Sequence, residues 1–159
     1  MIAFRIGGGL HPVYDGTGAE LNGGRWNSPG RRVIYAGQSF AIALLERLVQ
    51  TGIGRVPAND RFVSITIPDA LAIETVDPAA LPGWNDASLV ASRAHGDRWY
   101  DERRSAALLV PSAVTTIDRN VVINAAHPDF GQIMAWREQP VRWDARLFGV
   151  ARSAIGGGR

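Results

Sequence analysis

Between Gly23 and Gln50 the sequence sets a cation, a phenol and a carboxylate on neighbouring short segments. Arg25 stands in Gly23-Gly24-Arg25-Trp26-Asn27, Tyr35 in an apolar run from Arg32 to Ala36, and Glu46 in an amphipathic run from Ser39 to Gln50. Segments joined by such short turns pack side by side, so the three side chains read as one wall of a ligand cleft. A guanidinium donates in a planar fork to a phosphate or carboxylate, and the flanking glycines let a ligand come close. Arg25 reads equally as a surface arginine stacked on Trp26. Tyr35 suits stacking on a flat ring or donating its hydroxyl, and suits a core position as well. Glu46 could stabilise a developing cation or polarise a sugar hydroxyl; a solvated or salt-bridged helix glutamate is the ordinary alternative. Ser112 follows Pro111, where its hydroxyl could bond an amide or phosphate or simply finish a turn.

The elements that must position these groups are short. Ile2 to Ile6 reads as a strand with Arg5 between apolar neighbours, broken by Gly7-Gly8-Gly9. His11 to Asn22 reads as a polar loop. Arg32 to Ala36 is a strand, and Ser39 is an N-cap for the helix that follows. Ala41, Leu44, Leu45, Leu48 and Val49 share one face of that helix at 3.6-residue spacing, which leaves Glu46 at the margin and turns Arg47 and Gln50 to solvent. Gly52 to Asp60 is a loop, and Arg61 to Ile67 alternates as a strand with one wet face. Leu71 to Val76 reads as a short strand, Pro78 to Pro82 as a turn, and Asp86 to Arg104 as a helix interrupted around Gly96. Ala107 to Val110 and Val121 to Ile123 are apolar strands, and Trp136 to Trp143 an edge strand interrupted by Pro140. Strands and helices do not alternate regularly, so a mixed α+β domain over residues 1–150 is expected, with 151–159 as a flexible tail.

Composition narrows the function. The chain has 159 residues, 46% hydrophobic and 20% charged, in the range of a globular protein. No leader and no apolar run of about 20 residues is read in it, so a cytoplasmic location away from membranes is expected. Cysteine is absent, which excludes disulfides, thiol catalysis and thiolate metal sites. All 17 basic residues are Arg, yet the net charge is only +2. They are scattered, with Arg31-Arg32 and Arg103-Arg104 the only adjacent pairs, which argues against a direct nucleic-acid surface. His11, His95 and His127 lack metal-ligand spacing, and no G-x-S-x-G elbow accompanies Ser112. Neither a metal nor serine-hydrolase chemistry is expected.

The ordered set Gly-Gly-Arg25-Trp26-Asn27, Val33-Ile34-Tyr35-Ala36, Ala43-Leu44-Leu45-Glu46 and Val110-Pro111-Ser112-Ala113 resembles the RES domain family, which is named for an arginine, a glutamate and a serine. Phe4-Arg5, Asp97-Arg98-Trp99, Asn120-Val121-Val122-Ile123-Asn124 with His127-Pro128, and Asp144 to Phe148 extend the resemblance along nearly the whole chain. The Asn124-Ala125-Ala126-His127 run departs from the family's more usual Asn-Pro-x-His. The resemblance implies an ADP-ribosyltransferase-like α+β fold, in which two small mixed sheets with flanking helices form an NAD cleft. It implies the toxin of a type II toxin–antitoxin pair that consumes NAD, by hydrolysis or phosphorolysis or by transferring ADP-ribose to a protein. Arg25, Tyr35, Glu46 and Ser112 match as the catalytic residues. Arg5, Arg25, Asn27, Tyr35 and Ser112 match as the NAD-binding set. The implied partner is an Xre-like helix-turn-helix antitoxin, and pairing of two toxin copies is a further expectation, symmetric dimers being the commonest assembly. Cleavage of the nicotinamide–ribose bond passes through an oxocarbenium-like state, and a carboxylate such as Glu46 stabilises that charge differentially. On this reading Arg25 holds the pyrophosphate, while Tyr35 and Ser112 share the nicotinamide and the polar contacts in either order. A non-catalytic module that binds a nucleotide or a protein through Arg25 and Trp26 is the competing expectation.

Overall fold

The computed structural model describes residues 1–52 and 57–148; the tail expected at 151–159 lies outside the described residues. Eight strands are assigned among them: β1 (Ile2–Gly8), β2 (Val33–Gly37), β3 (Asp60–Thr66), β4 (Ile73–Thr75), β5 (Ala107–Pro111), β6 (Arg119–Asn124), β7 (Met134–Ala135) and β8 (Gln139–Pro140). Three α-helices accompany them: α1 (Thr17–Asn22), α2 (Phe40–Thr51) and α3 (Val90–Asp101). The strands form one path, β4-β5-β6-β2-β1-β3-β7, with β8 also on β3. All pairings are antiparallel except β4 with β5.

The path is nearly cut in the middle. β1 runs along β3 from Ile2 opposite Thr66 to Gly8 opposite Asp60. Against β2 it has one register pair, Phe4 opposite Gly37. The two small sheets expected from the family resemblance are thus the two halves β4-β5-β6-β2 and β1-β3-β7/β8, joined at that single point. Helix α2 lies across the junction, in contact with both β1 and β2.

The apolar runs in β2, β5 and β6 are buried on both faces, as continuous rather than alternating hydrophobic strands require. Ile34, Ala36, Ala107, Val121 and Ile123 enter one core with Ala3, Val63 and Ile65. Val33, Leu108, Val110 and Val122 enter a second core with Trp26, Trp84 and Trp99. The second core is where the Gly23–Asn27 segment is anchored, since Trp26 stacks on Trp84 with ring centroids 6.4 Å apart.

Several expected boundaries move for identifiable reasons. The expected polar loop from His11 to Asn22 contains α1, whose six residues carry too little apolar periodicity to read as a helix. The break expected at Gly96 does not occur: α3 continues through it, and the buried Gly96 packs so closely on the Trp26 carbonyl that a Cβ there would collide with it. The expected edge strand from Trp136 to Trp143 is replaced by β7 and β8, two residues each, both paired to β3. The buried side of α2 is rotated from the expected one. Ile42 and Ala43 are buried, and Leu44, Glu46, Arg47 and Leu48 are half-buried, whereas Ala41, Leu45 and Val49 face outward. Among the described residues no helix is long and apolar enough to cross a membrane.

Candidate active site

A cleft of about 550 Å³ opens at the junction of the two half-sheets, lined by β1, α1, the Gly23–Trp26 segment, β2, α2 and the ends of β5 and β6. Among its lining residues Arg5, Arg25 and Arg47 are the cations, and Glu46 is the one carboxylate. Such a cleft favours an anionic ligand while presenting one negative group to it.

Glu46 reaches the cleft from α2, whose N-cap Ser39 accepts a 3.2 Å hydrogen bond from the Ile42 amide. Two donors converge on the same carboxylate oxygen. The Ser112 hydroxyl donates to Glu46 Oε1 at 2.9 Å, and the Asn120 side-chain amide donates to it at 2.6 Å. The Ser112 oxygen in turn accepts from the backbone amides of Val114 (3.1 Å) and Thr115 (3.3 Å). With both acceptor positions filled, the only proton of that hydroxyl must point at Glu46. Ser112 is fully buried, and its hydroxyl is engaged with Glu46 and the Val114 and Thr115 amides.

Tyr35 lines the cleft from β2 with its ring, because its hydroxyl is already committed. That oxygen accepts from the Trp26 amide at 2.9 Å and donates to Asn27 Oδ1 at 2.7 Å. Burial pushes the phenol above its usual range, so it stays protonated at neutral pH. Gly24 crosses this ring so closely that a Cβ there would stand 2.6 Å from the hydroxyl. The glycine is required by contact, not by flexibility.

Asn27 was expected among the ligand-binding residues and is not at the cleft surface. It is completely buried, and its amide donates to the carbonyls of Ala19, Ser28 and Arg31. In this position Asn27 holds the loop and accepts from the Tyr35 hydroxyl. Arg25 lines the cleft as expected, but it does not stack on Trp26. Its guanidinium donates to the carbonyls of Trp84 and Asp86, both at 3.2 Å.

Arg5 sits where β1 and β2 part. Its guanidinium donates to the carbonyls of Val13 (2.6 Å), Tyr35 (2.8 Å) and Asp15 (3.1 Å), replacing ladder bonds the divergence has removed. Burial lowers its pKa, with Asp15 acting in the opposite sense, and an arginine remains charged throughout. Three of its roughly five N–H groups are spent on the fold, and the side chain still lines the cleft.

Two lining residues were missed by sequence reasoning. Arg47, expected to face solvent, is half-buried and donates in a fork to the fully buried Asp60 carboxylate, at 2.9 and 2.8 Å. A charge adjacent to a helix margin carries no signal for this, since its partner lies on a separate element, β3. Asn120 belongs to a segment singled out for its resemblance but given no role of its own; its register opposite Val110 of β5 brings it to the cleft. His127 lies beyond the opposite end of β6 from Ser112 and accepts from the Asp129 amide as a cap. The Asn124 amide is likewise spent on Tyr100 and Ala126. No Ser112–His127 pair therefore forms.

Comparison with known proteins agrees with this layout. The family model for the RES domain matches residues 2–144. The Prs ADP-ribosylating toxin of Sphingobium sp. (strain YBL2) is 38% identical over 136 residues, covering 83% of this chain and 84% of that protein. A Toxin Res of Pseudomonas putida (strain KT2440) is 34% identical over 150 residues, covering 93% of this chain and all of that protein. A chain in the crystal structure of the M. tuberculosis MbcT–MbcA toxin–antitoxin complex has the same fold. It superposes with a TM-score of 0.70 at 21% identity, over 88% of this chain and 83% of that one.

Proposed function

The chain belongs to the RES domain family, and from that premise we propose that it is the toxin of a toxin–antitoxin pair and acts by cleaving the nicotinamide–ribose bond of NAD. The observation that carries this reading is a lone carboxylate, Glu46, held by Ser112 and Asn120 in a cleft whose other charged lining residues are arginines. In the reaction the C–N bond between ribose and nicotinamide breaks, and its electron pair leaves with the nicotinamide nitrogen. Positive charge develops on the ribose, and Glu46 stabilises it more in the transition state than in the ground state. An acceptor oxygen, from water or phosphate, then bonds to the ribose carbon and loses its proton. Arg25 supplies the fork for the pyrophosphate, with Arg5 adding positive field, while the Arg47 charge is paired with Asp60. Tyr35 offers the nicotinamide its ring face, because its hydroxyl is occupied.

A second reading is transfer of ADP-ribose to a protein side chain, which the Sphingobium relative, a Prs ADP-ribosylating toxin, favours. Both readings place NAD in the same cleft, in the cytoplasm, with no metal in the step. The partner we propose is an Xre-like helix-turn-helix antitoxin that covers the cleft mouth; the MbcT–MbcA complex is a related fold with its antitoxin bound. Pairing of two copies of the chain within that complex, and a single domain over residues 1–150, complete the proposal.

The test is product analysis after incubating purified protein with NAD, with and without phosphate and with cell lysate. Free nicotinamide should appear, and the companion product distinguishes hydrolysis, phosphorolysis and transfer. Intact NAD together with a nucleotide-induced rise in melting temperature would favour a binding module instead.

A further inference from the structure

Glu46 has two carboxylate oxygens, and the protein treats them differently. Oε1 receives both the Ser112 hydroxyl and the Asn120 amide, whereas no hydrogen bond reaches Oε2 from the described residues. Asn120 sits on β6 opposite Gly37 of β2 on one side and Val110 of β5 on the other. Its backbone is therefore fixed by strands on both sides. Its amide nitrogen has one bond, to Glu46, and its Oδ1 is buried with no partner among the described residues. An orphaned buried carbonyl costs stability. Such a local violation is tolerated where the other end of the side chain serves function.

Resting on the reading of Glu46 given above, we propose that Asn120 is a positioning residue for the reaction: with Ser112 it pins Glu46 Oε1, so that Oε2 is the oxygen presented to the ribose. Ser112 cannot do this alone. One hydrogen bond leaves the carboxylate free to rotate about it, and two donors on one oxygen, one from the turn after β5 and one from β6, fix the plane. The Ser112 proton is directed by the Val114 and Thr115 amides, and the Asn120 amide is directed by the strand. Neither group needs to touch the ligand.

The test has a kinetic arm and a spectroscopic arm. Asn120→Ala should lower kcat about a hundredfold, the loss typical of a misplaced reacting group, with KM for NAD changed less than threefold. Asn120→Asp should lose at least as much, because it removes the donor and sets a second carboxyl group against Glu46. Wild-type kcat in folded Asn120→Ala, or a loss expressed only in KM, would overturn the positioning role. In the spectroscopic arm, the Asn120 side-chain amide resonance, identified by its disappearance in Asn120→Ala, should shift on Glu46→Gln. An unmoved resonance would overturn the contact itself. If wild-type protein leaves NAD intact, the functional reading fails, and the resonance still decides whether the clamp exists.

Discussion

Ser112 and Glu46 stand 66 positions apart in sequence and share a 2.9 Å hydrogen bond. The serine lies just after β5 and the glutamate on α2, so the bond reports that helix and half-sheet have docked in register. The docked helix also bridges the gap beside the single Phe4–Gly37 pair, and the cleft is that gap.

Glu46→Gln should abolish NAD consumption with little change in melting temperature. The amide keeps the shape and an acceptor for Ser112 while removing the charge. Loss of one such electrostatic contact typically costs on the order of a hundredfold or more in rate. Near-normal turnover by the folded variant would defeat the assignment.

Ser112→Ala should differ from Glu46→Gln by losing stability as well as rate. It strips an acceptor from the half-buried Val114 and Thr115 amides and a donor from Glu46. A cost of about 1 kcal/mol in denaturant unfolding, the lower end for unsatisfied groups because the amides are half-buried, is expected. A variant of wild-type stability would show that water replaces the hydroxyl at no cost.

Arg25→Lys should weaken NAD binding more than it weakens the fold. The guanidinium is tied to the Trp84 and Asp86 carbonyls at 3.2 Å each, on one nitrogen only, and its other nitrogens remain for a fork that an ammonium cannot reproduce. Unchanged nucleotide binding by calorimetry would remove Arg25 from the phosphate role.

How far the sequence disclosed this site depends on what each residue touches. Arg25, Tyr35 and Glu46 were legible because short turns join their segments and the cleft runs through all three. The strands β2, β5 and β6 were legible as apolar runs buried on both faces. The orientation of α2 was not, for a physical reason. Its inward face covers a polar cleft, so Glu46 and Arg47 turn inward while Leu45 and Val49 remain 37% and 47% exposed. That inverts the usual hydrophobic pattern. The internal partners of Asn27 and Ser112 were not legible, since side-chain types do not reveal whether a hydrogen bond is spent within the protein.

Tyr14 gives a prediction at high pH. Its hydroxyl is enclosed with no partner among the described residues, and burial pushes the phenol up to about 12. The unfolded phenol titrates near 10. The folded state therefore favours the protonated form, and this contribution is intact below about pH 10 and lost as pH rises toward the folded value. Tyr14→Phe should flatten the fall in melting temperature between about pH 10 and 12. It should also leave neutral-pH stability unchanged or higher, because an orphaned hydroxyl is removed. A pronounced loss of stability at neutral pH would show that the hydroxyl has a partner.

The most direct measurement is nicotinamide release from NAD by the purified protein and by its Glu46→Gln variant, with both shown to be folded by circular dichroism. The account predicts stoichiometric release over time by the first and essentially none by the second. Equal release from both, or intact NAD with a folded wild-type protein, would contradict it.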